Sequence, residues 1–435
     1  MFDLTAKAAV ADRAFLVGIY QHKEEEHEAA SLLDELAELV STLGVSITGR
    51  HLSRCSQFNS STLIGSGKLD EIATAARGTD AQVVVFDNEL SPAQQRNLEK
   101  VFAPLAVIDR QEVILDIFAR RARTREAMLQ VQLARLEYNL PRLKRAWTHL
   151  GRQGGAGGWA RGEGEMQIEI DRRIIQHEID AAKAELVEVR KQRATRRKTR
   201  QRIPIPNAAI VGYTNAGKSS LLNKLTGAGV LAEDKLFATL DTTTRRVRLP
   251  NGHPLLLTDT VGFVRKLPHK LVESFKATLE EAVLSDFLIH VVDASHPEAE
   301  KFYDTTLEVL KELGAEDKRI ITVFNKIDLI GDRPYVLAPL RLNHRDAVFV
   351  SVRSGEGLDA LVDRMAQQFA ESMRPMHLLV PHEHAEVIAQ LHAAGKVHEA
   401  KYEYDGIHVD ALVSRRHAGK FETYEIKSGE DPQHD

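Results

Sequence analysis

Apolar positions fall along this chain in three successive rhythms. At residues 15–20, 45–47, 83–86 and 107–108 they form short continuous runs, separated by stretches of helical spacing at residues 29–43, 69–77 and 92–102. Short apolar runs alternating with amphipathic helices predict a small parallel α/β sheet. The rhythm then lengthens. From residue 112 to 150 and again from 165 to 202 the chain is rich in Leu, Ala, Glu, Gln and Arg, and Ile168, Ile175, Ile179, Leu186 and Val189 recur at helical spacing. Two long helices forming an antiparallel pair are expected. Between them, residues 151–164 hold too many glycines for helix or core and predict a mobile tip carrying Arg152, Trp159 and Arg161. A third rhythm, with apolar runs at 208–211, 255–258, 287–293, 320–324 and 348–350, predicts a second parallel α/β sheet. Beyond residue 373 the pattern predicts a helix over 387–394, strands over 396–404 and 406–413 around an Asp405-Gly406 turn, and a last strand over 423–426. The expected division is 1–110, 111–202, 203–373 and 374–435, with Pro204 and Pro206 in the linker to the third part.

Chemistry concentrates in that third part. The segment Gly212-Tyr213-Thr214-Asn215-Ala216-Gly217-Lys218-Ser219 fits G-x-x-x-x-G-K-[ST] between an apolar run and a helical pattern, where a phosphate loop belongs. Glycines let successive N–H groups face phosphates, Lys218 is placed for the β- and γ-phosphates, and the Ser219 hydroxyl suits Mg²⁺. The loop reads only phosphates, so the base is chosen elsewhere. After the run at 320–324 comes Asn325-Lys326-Ile327-Asp328, whose carboxylate can accept from two donors on the guanine edge, a match adenine cannot make. Asn325 is expected to buttress the loop and the Lys326 stem to cover the ring. Asp259-Thr260-Val261-Gly262 supplies a carboxylate for Mg²⁺ through water and a backbone N–H for the γ-phosphate. Ser351-Val352-Arg353 is placed to finish the base pocket through its backbone, with Val352 where alanine is usual.

A first switch is expected at Phe237-Ala238-Thr239-Leu240-Asp241, with Thr239 as the ligand for Mg²⁺ and γ-phosphate. Residues 242–244 read as a solvated strand start. Lys218, Thr239, Gly262 and Asn215 are the expected catalytic groups. Asn215 either helps hold a K⁺ beside the phosphates or only stabilises the loop. Phe263 stands where many GTPases carry a water-orienting glutamine, so intrinsic hydrolysis is expected to be slow. The Gly65-Ser66-Gly67-Lys68 piece lacks the longer phosphate-loop spacing and reads as a helix entry.

Composition adds bounds. The chain has 435 residues, enough for two or three cores, and one cysteine, Cys55, which excludes internal disulfides. No run approaches twenty apolar residues, so no membrane span is expected; the location expected is the cytoplasm, in part peripheral to a membrane, with the chain a monomer. The formal net charge of −4 hides a basic block at residues 190–202 without an acidic residue, a pattern suited to nucleic acid.

These residues resemble the HflX family of GTPases. The resemblance rests on the phosphate loop, Phe237 to Asp241, Asp259-Thr-Val-Gly-Phe263 with Leu267-Pro268-His269, and Asn325 to Asp328. It extends upstream to Asp109-Arg110, Leu115 to Thr124, Trp147-Thr-His-Leu150 and Arg161-Gly-Glu-Gly-Glu165. Glu163 and Met166 depart from the family's usual Pro and Thr. The resemblance implies an α/β P-loop GTPase domain joined to an N-terminal α/β domain, a long helical hairpin and a small C-terminal α+β domain. It also implies GTP and GDP as ligands and the large ribosomal subunit with its rRNA as partner, with separation of stalled ribosomes as the outcome. From the residues alone, a nucleotide-gated RNA-binding module of negligible turnover and a ribosome assembly factor stay open beside it.

Overall fold

A computed structural model describes residues 11–143, 161–200, 205–227, 236–237, 240, 242–250, 252–266, 282–331 and 334–426. By internal packing the chain divides into two compact units. The first holds residues 1–189 together with 233–241 and 264–276, and the second holds 190–232, 242–263 and 277–435.

In the first unit, strands β1 (Arg13–Tyr20), β2 (Ser46–Arg54), β3 (Val83–Phe86) and β4 (Ala106–Asp109) form a parallel sheet in the order β2-β1-β3-β4. The expected strand at 45–47 is longer than its apolar run, because β2 is an edge strand and needs burial on only part of its surface. Helices α1 (Glu26–Thr42), α2 (Ser66–Gly78) and α3 (Pro92–Phe102) connect the strands. Their ends are written in local chemistry. Ser91 accepts from the Gln94 N–H, Gln94 reaches back to the Ser91 N–H, and Pro92 presets the first turn of α3. Leu69, Ile72, Leu98 and Phe102 bury their faces against Val84, Phe86 and Val107.

The first long helix expected from residue 112 is in fact two. α4 (Arg110–Arg121) stops at Ala122, whose backbone is extended, and α5 (Arg125–Asn139) restarts behind Thr124, which accepts from the Ala127 N–H. Such a cap contributes about 1 kcal/mol, enough to set a boundary that apolar spacing alone does not show. The second helix, α6 (Arg161–Arg200), begins earlier than expected and takes Gly162 and Gly164 into its first turn. The tip residues 151–160, with Arg152 and Trp159, lie outside the described residues. Ile175, Ile179 and Leu186 of α6 pack on Leu129, Leu133 and Leu143.

In the second unit, β5 (Asn207–Gly212), β6 (Thr243–Arg248), β7 (Pro254–Asp259), β8 (Phe287–Asp293), β9 (Ile320–Asn325) and β10 (Val348–Phe349) form one sheet in the order β10-β9-β8-β5-β7-β6. Only β6 runs antiparallel to its neighbour. Helices α7 (Lys218–Thr226), α8 (Ala299–Glu312), α9 (Pro334–Asn343) and α10 (Leu358–Ser372) connect or follow these strands. The chain then forms an antiparallel sheet of β11 (Met373–Val380), β12 (Gly395–Glu403) and β13 (Gly406–Ser414) in the order β11-β13-β12, with α11 (Glu386–Ala394) against it. The expected last strand at 423–426 is instead a 3-10 turn, Glu422–Tyr424, touching the sheet through one Leu378–Glu425 bridge. Two ion pairs from Arg374, to Glu422 and Glu425, hold that turn in place of a ladder. Among the described residues no helix is long and apolar enough to cross a membrane.

Candidate nucleotide site

The carboxyl ends of β5, β7 and β9 carry the three motifs, as the parallel order requires of segments that each leave a strand at the same edge. Backbone geometry explains the glycines. Gly212 has φ +145° and a Cβ there would lie 2.1 Å from the Val291 carbonyl oxygen, so only glycine lets β5 turn into the loop beside β8. Gly217 has φ +95°, and a Cβ would meet the Asn325 amide at 2.3 Å. Asn215 also takes a positive φ, of 60°, a conformation asparagine tolerates better than most residues.

Each loop grips another. The Thr214 N–H donates to the Phe263 carbonyl at 2.8 Å and the Phe263 N–H to the Gly212 carbonyl at 3.1 Å, tying the phosphate loop to the D-x-x-G segment. Thr260 Oγ1 donates to the Ile210 carbonyl at 2.7 Å, and Val261 is buried. Gly262 packs so closely on Thr214 and the Lys218 ammonium that a Cβ would approach Lys218 Nζ to 2.7 Å. Asn325 Nδ2 donates to the Ala216 carbonyl at 2.9 Å, while its Oδ1 accepts from the Val352 N–H at 3.1 Å. One side chain thus joins the loops after β5, β9 and β10.

Lys218 is 6% exposed and donates to the Tyr213 carbonyl at 2.7 Å. Burial pushes its ammonium down to about 8, against the pull of the Asp259 carboxylate, so it stays charged at neutral pH. Ser219 Oγ donates to Asp259 Oδ2 at 2.5 Å, which places a hydroxyl and a carboxylate together, a donor pair suited to a hard divalent cation. Tyr213 is buried and stacks on Phe302 at 4.1 Å.

At the base end, the Asp328 carboxyl is exposed and Oδ1 accepts from Ser351 Oγ at 2.6 Å. Ser351 in turn accepts from the Ser354 N–H. Lys326 has φ +64° and its ammonium pairs with Asp293 at 2.7 Å, which fixes its stem. Ile327 is half-buried, Val352 buried and Arg353 exposed. Of the expected first switch, Phe237 and Leu240 are buried in the first unit, whereas Ala238, Thr239 and Asp241 lie outside the described residues.

Two features escape a reading of the sequence. Asp293, at the end of β8, partners Lys326, and a lone acid closing an apolar run is the available signal. Arg265 and Lys266, just past Phe263, are engaged by Glu35 and Asp87, and nothing local announces partners up to 230 residues away.

Residues 30–119 match the family model for the GTP-binding GTPase N-terminal region, 121–200 its middle region and 207–326 the 50S ribosome-binding GTPase domain. The chain is 51% identical to GTPase HflX of Akkermansia muciniphila over 98% of its own length and 99% of that protein. It is 44% identical to GTPase HflX of Chlamydia pneumoniae, covering 97% and 90%. A GTP-binding protein of Sulfolobus solfataricus, solved with GDP, aligns at 27% identity and TM-score 0.44 over 82% of this chain and 98% of that one. With this identity sustained over nearly the whole length, and with the loops assembled at one sheet edge, the chain belongs to the HflX family of GTPases.

Proposed function

We propose that this GTPase works on ribosomes, binding the large subunit and its rRNA, and that GTP hydrolysis there drives separation or rescue of stalled particles. The support for the reading is the pairing, in one chain, of a P-loop GTPase domain with a 40-residue helix, Arg161–Arg200, whose end from Arg190 on carries the basic block that has no acidic residue. In that block Arg190 and Lys191 are exposed. Phosphate contacts of this kind suit an RNA partner. The family model matched by residues 207–326 is described as ribosome-binding, which supports the same partner.

In this reading the phosphate loop from Gly212 to Ser219 cradles the phosphates, and Lys218 neutralises the β- and γ-oxygens. Ser219 directly, Asp259 through water and Thr239 are the residues that would hold Mg²⁺, whose charge offsets that of the transferring phosphoryl group when bound. Gly262 offers its N–H to the γ-phosphate. Asp328 accepts from the guanine edge, Lys326 covers the ring, and Ser351, Val352 and Arg353 close the pocket. Asn215 is the residue for K⁺. Phe263 is 3% exposed and its ring has no hydrogen-bonding atom, so it orients no water. Hydrolysis is therefore slow until the ribosome supplies or positions the missing group. A cytoplasmic location follows from that partner.

Sedimentation of intact ribosomes with the pure protein and GTP tests the proposal. The expected result is nucleotide-dependent subunit separation, with GTP turnover rising on added large subunits. Neutralising Arg190 and Lys191 should lower the salt slope of ribosome binding by roughly 0.7–0.9 for each phosphate no longer neutralised. Ribosomes left intact and turnover unchanged would defeat the reading.

A further inference from the structure

Beyond the paired part of β5 and β7, Tyr213 and Phe263 sit opposite one another in a single parallel bridge that carries the pairing into the loops. The bonds from the Thr214 N–H to the Phe263 carbonyl and from the Phe263 N–H to the Gly212 carbonyl hold its register. Across such a pairing successive side chains point to opposite faces. Tyr213 and Phe263 send their rings into one apolar cluster with Val211, Leu288 and Phe302. Their neighbours Thr214 and Gly262 meet on the other side, against Lys218. A Cβ on Gly262 would lie 2.8 Å from both Cα and Cγ2 of Thr214 and 2.7 Å from Lys218 Nζ, so the threonine side chain and the ammonium flank one point.

Thr214 is 6% exposed, and among the described residues its Oγ1 has no hydrogen-bond partner. A hydroxyl taken out of water without a partner is costly, and a valine of the same shape would fill the place without that cost. The methyl accounts for the packing on Gly262, but the hydroxyl is left unexplained by anything within the fold. Other hydroxyls at the same sheet edge are engaged. Ser219 Oγ donates to Asp259, Thr260 Oγ1 to the Ile210 carbonyl and Ser351 Oγ to Asp328. The Thr214 hydroxyl instead stands in the corner shared by the Lys218 ammonium and Gly262, the two groups assigned above to the γ-phosphate.

We propose that Thr214 is a catalytic residue whose hydroxyl donates to a γ-phosphoryl oxygen of GTP, beside Lys218 and Gly262. This role rests on the GTPase assignment and deepens it, because it supplies from the phosphate loop a hydrogen-bonding side chain that Phe263 lacks. In hydrolysis, water forms a bond to the γ-phosphorus and the bond to the β–γ bridging oxygen breaks, its electron pair leaving with GDP. One proton of the water passes to the released phosphate. The Thr214 proton stays on Oγ1 throughout. Its contribution is a fixed dipole aimed at an equatorial oxygen, over which charge is spread in the transition state, in a place already shielded from water. GDP has no such oxygen, so the bond is made with substrate and not with product.

The test sets Thr214→Val, which keeps the methyl against Gly262 and removes the hydroxyl, beside Thr214→Ser, which keeps the hydroxyl alone. Both are made in the full chain and assayed with GTP and Mg²⁺ in the absence of ribosomes. In single turnover Thr214→Val should release phosphate about 10-fold or more slowly than wild type, as for the loss of one fixed donor, while its affinity for GDP stays within about twofold. Thr214→Ser should recover most of the rate, and Thr214→Ala should be as slow as the valine variant. A valine variant within about twofold of the wild-type rate leaves the hydroxyl idle and overturns the proposal. A serine variant as slow as the valine one, or a valine variant whose GDP affinity falls as far as its rate, also overturns it and leaves Thr214 a packing residue of the loop. A wild-type chain that neither binds nor hydrolyses GTP overturns the GTPase assignment, and this role with it.

Discussion

The parallel four-stranded sheet and the largely parallel six-stranded one treat their carboxyl ends in opposite ways. At the ends of β5, β7 and β9 the chain is thinned. Gly212, Gly217 and Gly262 keep Cβ atoms out of the space, and the backbone bonds of Thr214 and Phe263, with the side-chain amide of Asn325, hold the loops. At the ends of β1, β3 and β4 the space is filled. Glu35, Asp87, Arg110 and Arg265 occupy one crevice, while beside it Asp109 accepts from Tyr138 Oη at 2.9 Å and Arg142 lies over the Tyr138 ring at 3.6 Å. Burial pushes the Asp109 carboxyl up, with Arg142 opposing, as expected of a charge sealed away from water. The sheet specifies where a site can be. Whether it receives an outside anion or the chain's own cations depends on which residues end the strands.

The contrast breaks most visibly at Arg110. Arg110→Met takes from Glu35 and Asp87 the buried guanidinium they share, leaving each a single cation, Arg265 and Lys266, and should cost about 3–5 kcal/mol of stability in urea unfolding. Nucleotide binding by the folded fraction should persist, because the phosphate loop belongs to the other unit. A loss below about 1 kcal/mol would show that the acidic crevice relaxes into water and is not a closed site.

At the open end the corresponding change is Asp328→Asn. Exchanging the carboxylate for an amide should weaken GTP binding by about 3 kcal/mol, roughly 100-fold, and improve use of xanthosine nucleotides. Equal affinity for guanosine nucleotides in the variant would remove Asp328 from the base pocket.

The smallest expected effect is one of pH. His290, in the middle of β8, is fully buried, and among the described residues neither ring nitrogen has a hydrogen-bond partner. Burial pushes its pKa from the ordinary 6.5 down to about 3, helped by the nearby Lys218 and His344 charges. The unfolded chain therefore binds the proton first as pH falls below 6.5, and folding stability declines toward pH 3, by about 2 kcal/mol at about pH 5. Replacing His290 by Phe should flatten that slope between about pH 7 and 5 in thermal unfolding. An unchanged slope would place the acid sensitivity elsewhere, the carboxylate-rich crevice of the first unit being the next place to look.

Much of this organisation is local and therefore readable from the chain. The loop from Gly212 to Ser219, the Asp259 to Gly262 turn and the Asn325 to Asp328 turn each follow an apolar run, and a parallel sheet then brings segments that leave the same edge together. The caps at Ser91 and Thr124 are equally local, although the second one, which divides α4 from α5, is hidden beneath a continuous helical rhythm. The 3-10 turn at Glu422–Tyr424 replaces an expected strand, and two Arg374 ion pairs, 48 and 51 residues away in the chain, hold it against the strand preference of Thr423, Tyr424 and Ile426. The clearest limit is Arg265. Nothing near it in the chain names a partner, and only folding brings Glu35 to it across 230 residues. Strand, turn and phosphate-loop preferences act within a few residues, so the sequence by itself determined the sheets, their glycine-thinned loops and the Asn325 to Asp328 turn. Electrostatic compensation in a buried place depends on which distant charges share a low-dielectric volume, so only the tertiary structure decided that the first sheet's crevice is acidic and that the segment after Gly262 fills it.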